Sequence, residues 1–407
     1  MQTEEKKKSL ELPTDEPKWL FEKRLSALVS YEKEPLPDRV SHLWKYSDPA
    51  WFEFNTDSGC VISSEKIKPN FNLDAEAKNS GVVLTELADA FRNEKYKDLI
   101  LKYFGQLTNK YSNKFAYFNA AIWSNGYFLY VPKNVKIEKP LTVKSFSKEL
   151  NTLEALRNLI LLEEGSSINL IDEISSLETA NPLVNIVTEI FLEKDSKLSY
   201  ENLQLHSKQT ISHLFQRAEI SDNAELINVI VALGGKISKV DLGANLCGTG
   251  AGVTTYGIVL GDGVQRFDHH TNIEHNAPYT KSDLNFRVAL KDKSCSAYTG
   301  NLKIAHEAIK SDAHQENRNL LLSPEAKVES IPELEILTND VVRCNHGVTV
   351  GQVDKDQIFY LMSRGLSQKG AEQVIVEGFM EPTISRIPEE SLREEILSKI
   401  KNKLETL

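Results

Sequence analysis

A chain of 407 residues, 41 % hydrophobic and 26 % charged, has enough apolar material for a sizeable core and more than one domain, with the composition of an ordinary soluble protein. Its 58 acidic against 48 basic residues give a net charge of -10, and no concentrated basic stripe offsets it, which argues against nucleic acid as a partner. No apolar run is long enough to cross a bilayer, and Met1 to Leu12 is charged and polar rather than a signal peptide, so the expected location is the cytoplasm without a membrane anchor.

Residues 1–112 read as a polar, helical N-terminal domain. Trp19, Leu20, Arg24, Leu25 and Leu28 fall on one helical face, and the pattern breaks at Pro35 and Pro37. Val83, Leu87, Ala88 and Phe91, followed by Leu99, Ile100, Tyr103 and Phe104, keep a three- or four-residue spacing and predict a helical hairpin.

From about Lys114 the period switches to two, and a β-rich core is expected over residues 113–350. Tyr127 to Val131 is a strand stopped by Pro132, and Ile137 to Val143 restarts extended structure. One short unit then recurs: a turn of Gly, Asp, Asn or Pro, small polar residues, and an alternating apolar strand. Gly165-Ser166-Ser167-Ile168, Asp195-Ser196-Lys197-Leu198, Asn223-Ala224-Glu225-Leu226, Gly235-Lys236-Ile237-Ser238 and Asp292-Lys293-Ser294-Cys295 are examples. The first two are 30 residues apart and the others irregular. Such repetition predicts the stacked coils of a β-helix, with a β-sandwich as the alternative. The absence of useful helices within the region disfavours a doubly wound α/β fold.

Residues 351–407 turn helical again. Asp354 with Gln357, and Ser391 with Glu394, have the spacing of capping pairs. Gly365 and Gly378 are each expected to end a helix, and Ala371, Val374 and Ile375 to form an apolar face between them. Leu392, Ile396, Leu397, Ile400 and Leu404 make a narrow stripe on a charged helix. Two readings stay open: packing on the chain's own body, or docking into a partner's groove.

Four segments carry candidate chemistry. Cys60, Cys247, Cys295 and Cys344 are far apart and form no CxxC pair, which argues against a disulfide framework, a zinc finger or a ferredoxin-like site. Gly243 to Gly257 is glycine-rich but lacks the Lys-Ser/Thr ending of a phosphate loop, so it is expected to form tight turns rather than bind nucleotide. In Asp268-His269-His270-Thr271-Asn272-Ile273-Glu274-His275, a strand sends Asp268, His270 and Glu274 to one face and His269 and His275 to the other. The split leaves no obvious three-ligand metal site and suits a hydrogen-bonded ladder. Cys344 and His346 are two apart, so a strand presents both side chains on one face. Thiolate and imidazole are both ligands for iron, but two cannot close a four-coordinate site; the alternative is a buried apolar thiol beside a hydrogen-bonded imidazole.

Several stretches resemble the SufB/SufD family of iron–sulfur cluster assembly scaffolds. They are Ala120 to Pro132 continuing to Pro140-Leu141, Asp268 to Ser282 with His275 and Pro278, and Gln315 to Leu322 followed by Pro332-Glu333-Leu334-Glu335-Ile336. The most specific is the C-terminal run: Cys344-Asn345-His346-Gly347, Phe359-Tyr360-Leu361, Ser363-Arg364-Gly365 and Gly378-Phe379. In the N-terminal part only Trp44-Lys45-Tyr46-Ser47-Asp48 matches, and weakly. SufB members typically carry a glutamate directly after the histidine that corresponds to His346, and a cysteine near the position of Asn317 or Arg318; here Gly347 follows and the cysteine is missing. The Cys-x-His-Gly arrangement is SufD-like, with a divergent SufB-type scaffold as the alternative.

The resemblance implies a mainly β protein: a right-handed parallel β-helix between helical N- and C-terminal domains. It implies a non-catalytic scaffold that pairs with a SufB paralogue near the end of the β-helix and binds the SufC ATPase through its C-terminal helices, Phe359, Tyr360 and Arg364 among them; a homodimer is possible in isolation. It also implies that His346, with Cys344, takes part in holding iron or a nascent iron–sulfur cluster at the subunit interface, transiently and shared with SufB. A β-helical carbohydrate-active enzyme with paired carboxylates is the rival from another class; such enzymes are mostly secreted, and no leader is visible here.

Overall fold

In the computed structural model, which describes residues 16–40, 42–53, 61–62, 69–111 and 113–406, the alternating segment is a parallel β-solenoid of about eight turns. Cys60 and the segment Met1 to Leu12 lie outside the described residues. Each turn contributes two strands. β4 (Tyr127–Val131), β6 (Thr152–Leu162), β8 (Leu183–Leu192), β10 (Ile211–Ile220), β12 (Ile237–Leu246), β14 (Arg266–His275), β16 (Cys295–Ile304) and β18 (Lys327–Ile336) stack into one sheet. β5 (Leu141–Ser147), β7 (Ser167–Ser176), β9 (Lys197–Leu205), β11 (Glu225–Ala232), β13 (Gly252–Gly261), β15 (Lys281–Leu290), β17 (Ser311–Leu321) and β19 (Val341–Gln352) form the other. The step between turns varies from 26 residues (Ile211 to Ile237) to 32 (Cys295 to Lys327), which is why the repeat is irregular in sequence.

Register makes the core. Ile160, Ile190, Ala218, Ala244, Ile273 and Leu302 lie one above the next on successive turns, all buried between the two sheets. No turn could bury these residues alone; each hides its inward face on its neighbours, at about 1.5–3 kcal/mol per large aliphatic side chain. The recurring Gly, Asp or Asn marks one corner of the solenoid. Gly165, Asp195, Asn223 and Gly250 are left-handed there, with φ between 52° and 74°, and the Gly165, Asp195 and Asn223 amides each donate to the next turn (Lys194, Asp222 and Thr249 O). The small polar residue that follows is buried: the Ser166 and Ser196 hydroxyls donate back to the Glu163 and Glu193 carbonyls at 2.6 Å.

The N-terminal part is less purely helical than its sequence suggests. α1 (Lys18–Lys33) forms as expected, with Leu20, Arg24 and Leu28 buried. Two short 3-10 helices (His42–Trp44 and Pro49–Phe52) and α2 (Ala75–Asn79) follow. However, β1 (Val61–Ile62), β2 (Asn70–Asn72) and β3 (Val83–Glu86) are strands, so Val83 precedes rather than belongs to the expected hairpin, α3 (Leu87–Arg92) and α4 (Lys97–Tyr103). α5 (Gln106–Tyr111) and α6 (Lys114–Ile122) complete the region. α6 occupies the stretch where alternation was expected to begin. It is covered on nearly every side, so it shows no one-sided apolar stripe, and its start is marked only by Asn113, whose side chain accepts from the Ala116 amide at 3.0 Å.

At the C-terminus α7 (Lys355–Ser363), α8 (Gln368–Ile384) and α9 (Glu390–Thr406) run in succession. Asp354 caps α7, and Gly365 (φ 98°) ends it as expected. Gly378 instead sits inside α8, where an added Cβ would touch nothing. Val374 is exposed; Ala371, Val376, Met380 and Ile384 form the buried face. Ser391 lies within α9 and its hydroxyl donates to Glu389 rather than capping. The α9 stripe packs on the chain's own body: Leu392, Ile396, Ile400 and Leu404 cluster with Val231, Ile258 and Leu260 on the outer face of the second sheet. Lys403 reinforces this from below, its ammonium donating to the Leu260 carbonyl at 2.6 Å and to Gln265 Oε1 at 2.8 Å.

Candidate functional site at the open end of the solenoid

The two ends of the stack differ. At the first turn β3 pairs antiparallel with β4, and β2 antiparallel with β5, which turns the edges away from further parallel stacking. At the last turn β18 and β19 are the outermost strands of their sheets, with no pairing on their outer edges among the described residues. Ten and twelve residues long, they present an unprotected double edge. The inward side chains of that turn, Ile336, Val348 and Val350, are exposed, since none of the described residues stacks on them.

Cys344 and His346 both lie on β19 and both face inward, in register with Ala313 and Gln315 of β17. Cys344 is half-buried against the aliphatic core, and burial pushes its thiol above the ordinary range. His346, one step nearer the middle of the strand, is exposed at the mouth. The spacing therefore puts the two on one face and at the open edge. No cluster of three or more His, Cys, Asp or Glu suited to a metal occurs among the described residues, so this chain brings two donors and the rest would have to come from outside it.

Beneath His346 lies a polar layer that the sequence reading did not single out. Tyr298, Gln315, Asn317 and Asn319 all point inward and are buried. Tyr298 donates its hydroxyl to Gln315 Oε1 at 3.3 Å and shares a 3.1 Å hydrogen bond with Thr271. The signal was present in the alternation Gln315-x-Asn317-x-Asn319, but period two says only that these share a face, not that the face is the interior.

α7 stands apart from the rest of the C-terminal helices. None of its residues is buried, and Phe359 (72 % exposed), Tyr360 (56 %) and Met362 (43 %) leave an apolar surface uncovered. Arg364, just past its end, lies over the Tyr360 ring at 5.3 Å from the centroid.

The histidine cluster divides as the alternation requires. On the outer face Asp268 accepts from the buried Lys239 ammonium at 2.8 Å, His270 Nδ1 meets Asp241 Oδ1 at 3.2 Å, and Glu274 accepts from the Tyr111 hydroxyl at 3.3 Å. Burial pushes the Asp241 carboxyl up, but Arg217 and His270 outweigh it and hold the group well below the usual carboxylate range. On the inner face His275 is held by Thr280 and Ser282 at 2.8 and 2.9 Å, and His269 packs edge-on to Phe286. This is a structural ladder. The glycine-rich stretch is only partly turns: Gly248 and Gly250 are, whereas Gly243 and Gly257 lie within strands. There a Cβ would collide with Arg217 (2.6 Å) or Phe286 (2.0 Å).

Comparison with known proteins bears on the whole arrangement. Residues 145–379 match the family described as SUF system FeS cluster assembly, SufBD core domain, and residues 69–143 match the SufBD protein N-terminal region. The chain belongs to the SufBD family of iron–sulfur cluster assembly proteins. Among its relatives, an iron–sulfur cluster assembly SufBD family protein of Staphylococcus haemolyticus is 28 % identical, covering 92 % of this chain and 87 % of the relative. Those of Staphylococcus epidermidis (27 %) and Staphylococcus aureus (28 %) align over the same shares. The SufBD core match thus runs from β5 through β19 into α8, and so includes both the open edge and α7. No helix among the described residues is long and apolar enough to cross a membrane.

Proposed function

We propose that this SufBD chain is a SufD-type scaffold subunit, without an active site of its own, that pairs with a SufB-type paralogue through the open end of its solenoid and binds the SufC ATPase through α7. The observation that carries this reading is the last turn: a double strand edge, exposed valines and the half-set of ligands Cys344 and His346 in one place. A partner solenoid set against that edge would satisfy its backbone groups, cover Val348 and Val350, and add donors to His346 and Cys344. Iron or a nascent cluster is then the cargo of the joint interface. The exposed Phe359 and Tyr360, with Arg364 beside them, offer the aromatic and cationic anchors that dominate protein interfaces.

The SufD rather than SufB assignment is supported by Gly347. A Cβ at that position would find only Glu316 Cγ, at 4.0 Å, so packing does not demand glycine and leaves room for the first side-chain carbon of a glutamate. Its absence is a feature of the site's chemistry, not of the fold. Similarly, the cysteine that a SufB-type chain carries near the position of Asn317 or Arg318 is missing here.

The test is co-expression of the tagged chain with a SufB-type paralogue and the ATPase. Both are expected to co-purify, and His346→Ala is expected to keep the complex while lowering the cluster formed by it. Capture of neither partner would end the proposal; an unchanged cluster yield in His346→Ala would remove His346 from the site.

A further inference from the structure

The His346 imidazole forms no hydrogen bond among the described residues, yet a ligand works only if its ring is aimed. What lies under it is Gln315, its in-register neighbour on β17. Parallel strands are about 4.8 Å apart and the two residues share a face, so Gln315 is the side chain next to His346 in the stack. The Gln315 carboxamide is pinned. Gln315 is 1 % exposed; its Nε2 donates to the Gly300 and Glu333 carbonyls, both at 3.3 Å, and its Oε1 accepts from Tyr298 at 3.3 Å. The Glu333 carbonyl belongs to β18, so this one side chain ties the last turn to the turn below it. Space for it depends on Gly300: a Cβ there would lie 2.2 Å from Gln315 Oε1.

We infer that Gln315 is the positioning residue of the open-end site, holding the His346 imidazole in one orientation through the Thr271–Tyr298–Gln315 hydrogen-bond chain. Its consequence for cluster assembly rests on the function proposed above; its effect on the ring does not.

The experiment uses the full chain with ¹³C-labelled histidine, the His346 Cε1–Hε1 signal being assigned by its loss in His346→Ala. Ring order is read from carbon relaxation, and cluster formation from the complex with its partners. Gln315→Leu keeps the volume but removes every hydrogen bond. It is expected to loosen the His346 ring and to lower cluster formation roughly tenfold, the scale of losing a group that orients a ligand. Gln315→Glu, which keeps the shape and the acceptor for Tyr298, is expected to retain more ring order than Gln315→Leu. Should Gln315→Leu fail to fold, Tyr298→Phe carries the test with a smaller loosening of the ring. Unchanged relaxation in the folded variants overturns the inference, even if cluster formation falls, because Gln315 would then act on the fold and not on His346. If His346→Ala leaves cluster formation intact while Gln315→Leu loosens the ring, the proposed function fails and the positioning role stands.

Discussion

The first and last turns of this solenoid are built from the same repeat and are opposite in character. The first is sealed by antiparallel strands and covered by helices; the last ends in bare parallel edges. On the sealed side the clasp is charged as well as apolar. Arg157, on the outer face of β6, pairs with Glu189 of β8 at 2.9 Å and donates to Thr108 Oγ1 at 2.7 Å. Glu189 in turn accepts the Gly105 and Thr108 amides, so it ends the ion pair and caps the start of α5. In a stack where each turn contacts only its neighbours, stability is a sum of such interfaces, and the turn with one neighbour has the least. The sealed end is thus arranged for stability, whereas the open end leaves its contacts to be made.

The largest effect is expected from breaking the clasp. Arg157→Ala leaves the Glu189 carboxylate buried with its two backbone donors but without its countercharge, which costs about 3–5 kcal/mol. Urea unfolding measures it, and a loss below about 1 kcal/mol would mean that the N-terminal helices are not held as described. At the other end the effect should move from stability to binding. Phe359→Ser with Tyr360→Ser is expected to leave the melting temperature almost unchanged and to cost about 2 kcal/mol or more of ATPase affinity, as truncated aromatic anchors do. A fall in melting temperature with unaltered binding would reverse the assignment of α7. Val350→Lys, at a half-exposed edge position, should shift stability by no more than about 0.5 kcal/mol while weakening association with the paralogue at least about tenfold, read by titration calorimetry.

The same contrast explains what could be read from the sequence. The solenoid was legible because turn chemistry repeats: Gly165, Asp195 and Asn223 hold left-handed corners, and Ser166 and Ser196 fill the space behind them. Cys344 and His346 were legible as a pair because period two fixes their common face. α6 was not, since a helix buried on all sides loses its stripe, and neither was the interior position of Gln315. Gly378 was misread because glycine ends a helix only where the chain turns left-handed, as at Gly365; within α8 it marks open space instead. The α9 stripe shows the limit most plainly. Leu392, Ile396, Ile400 and Leu404 have the spacing of a docking helix, and they do dock, on the second sheet of their own chain. Which surface an apolar stripe covers is a tertiary fact.

The smallest effect, and the sharpest division between the ends, concerns acid. Burial pushes His206 and His213 down to about 3 and His269 and His275 down to about 4, from 6.5. Each stays neutral in the fold while the unfolded chain takes up a proton, so each subtracts stability as pH falls below 6.5. Burial also pushes Glu154 and Glu201 up to about 7 and Asp172 to about 6; their folded forms take up protons first, so each adds stability as pH falls towards the ordinary carboxylate range. Four losses against three gains leave a slow decline, about 1 kcal/mol per pH unit between 7 and 5, and roughly twice that below 5, where the gains run out. All seven groups lie in β6 to β14 or the loop after β9, and none in the last turn. His213 is the simplest to remove: it sits among Trp44, Phe52 and Phe115 with neither ring nitrogen hydrogen-bonded. His213→Phe should keep that packing and flatten stability between pH 7 and 5, measured by urea unfolding at each pH. If the decline persists undiminished, the acid response belongs to other groups. Association at the open edge, compared at a pH where both proteins are folded, should be the same in His213→Phe as in the parent chain, because the buried imidazole belongs to the covered side of the solenoid and touches nothing in the last turn.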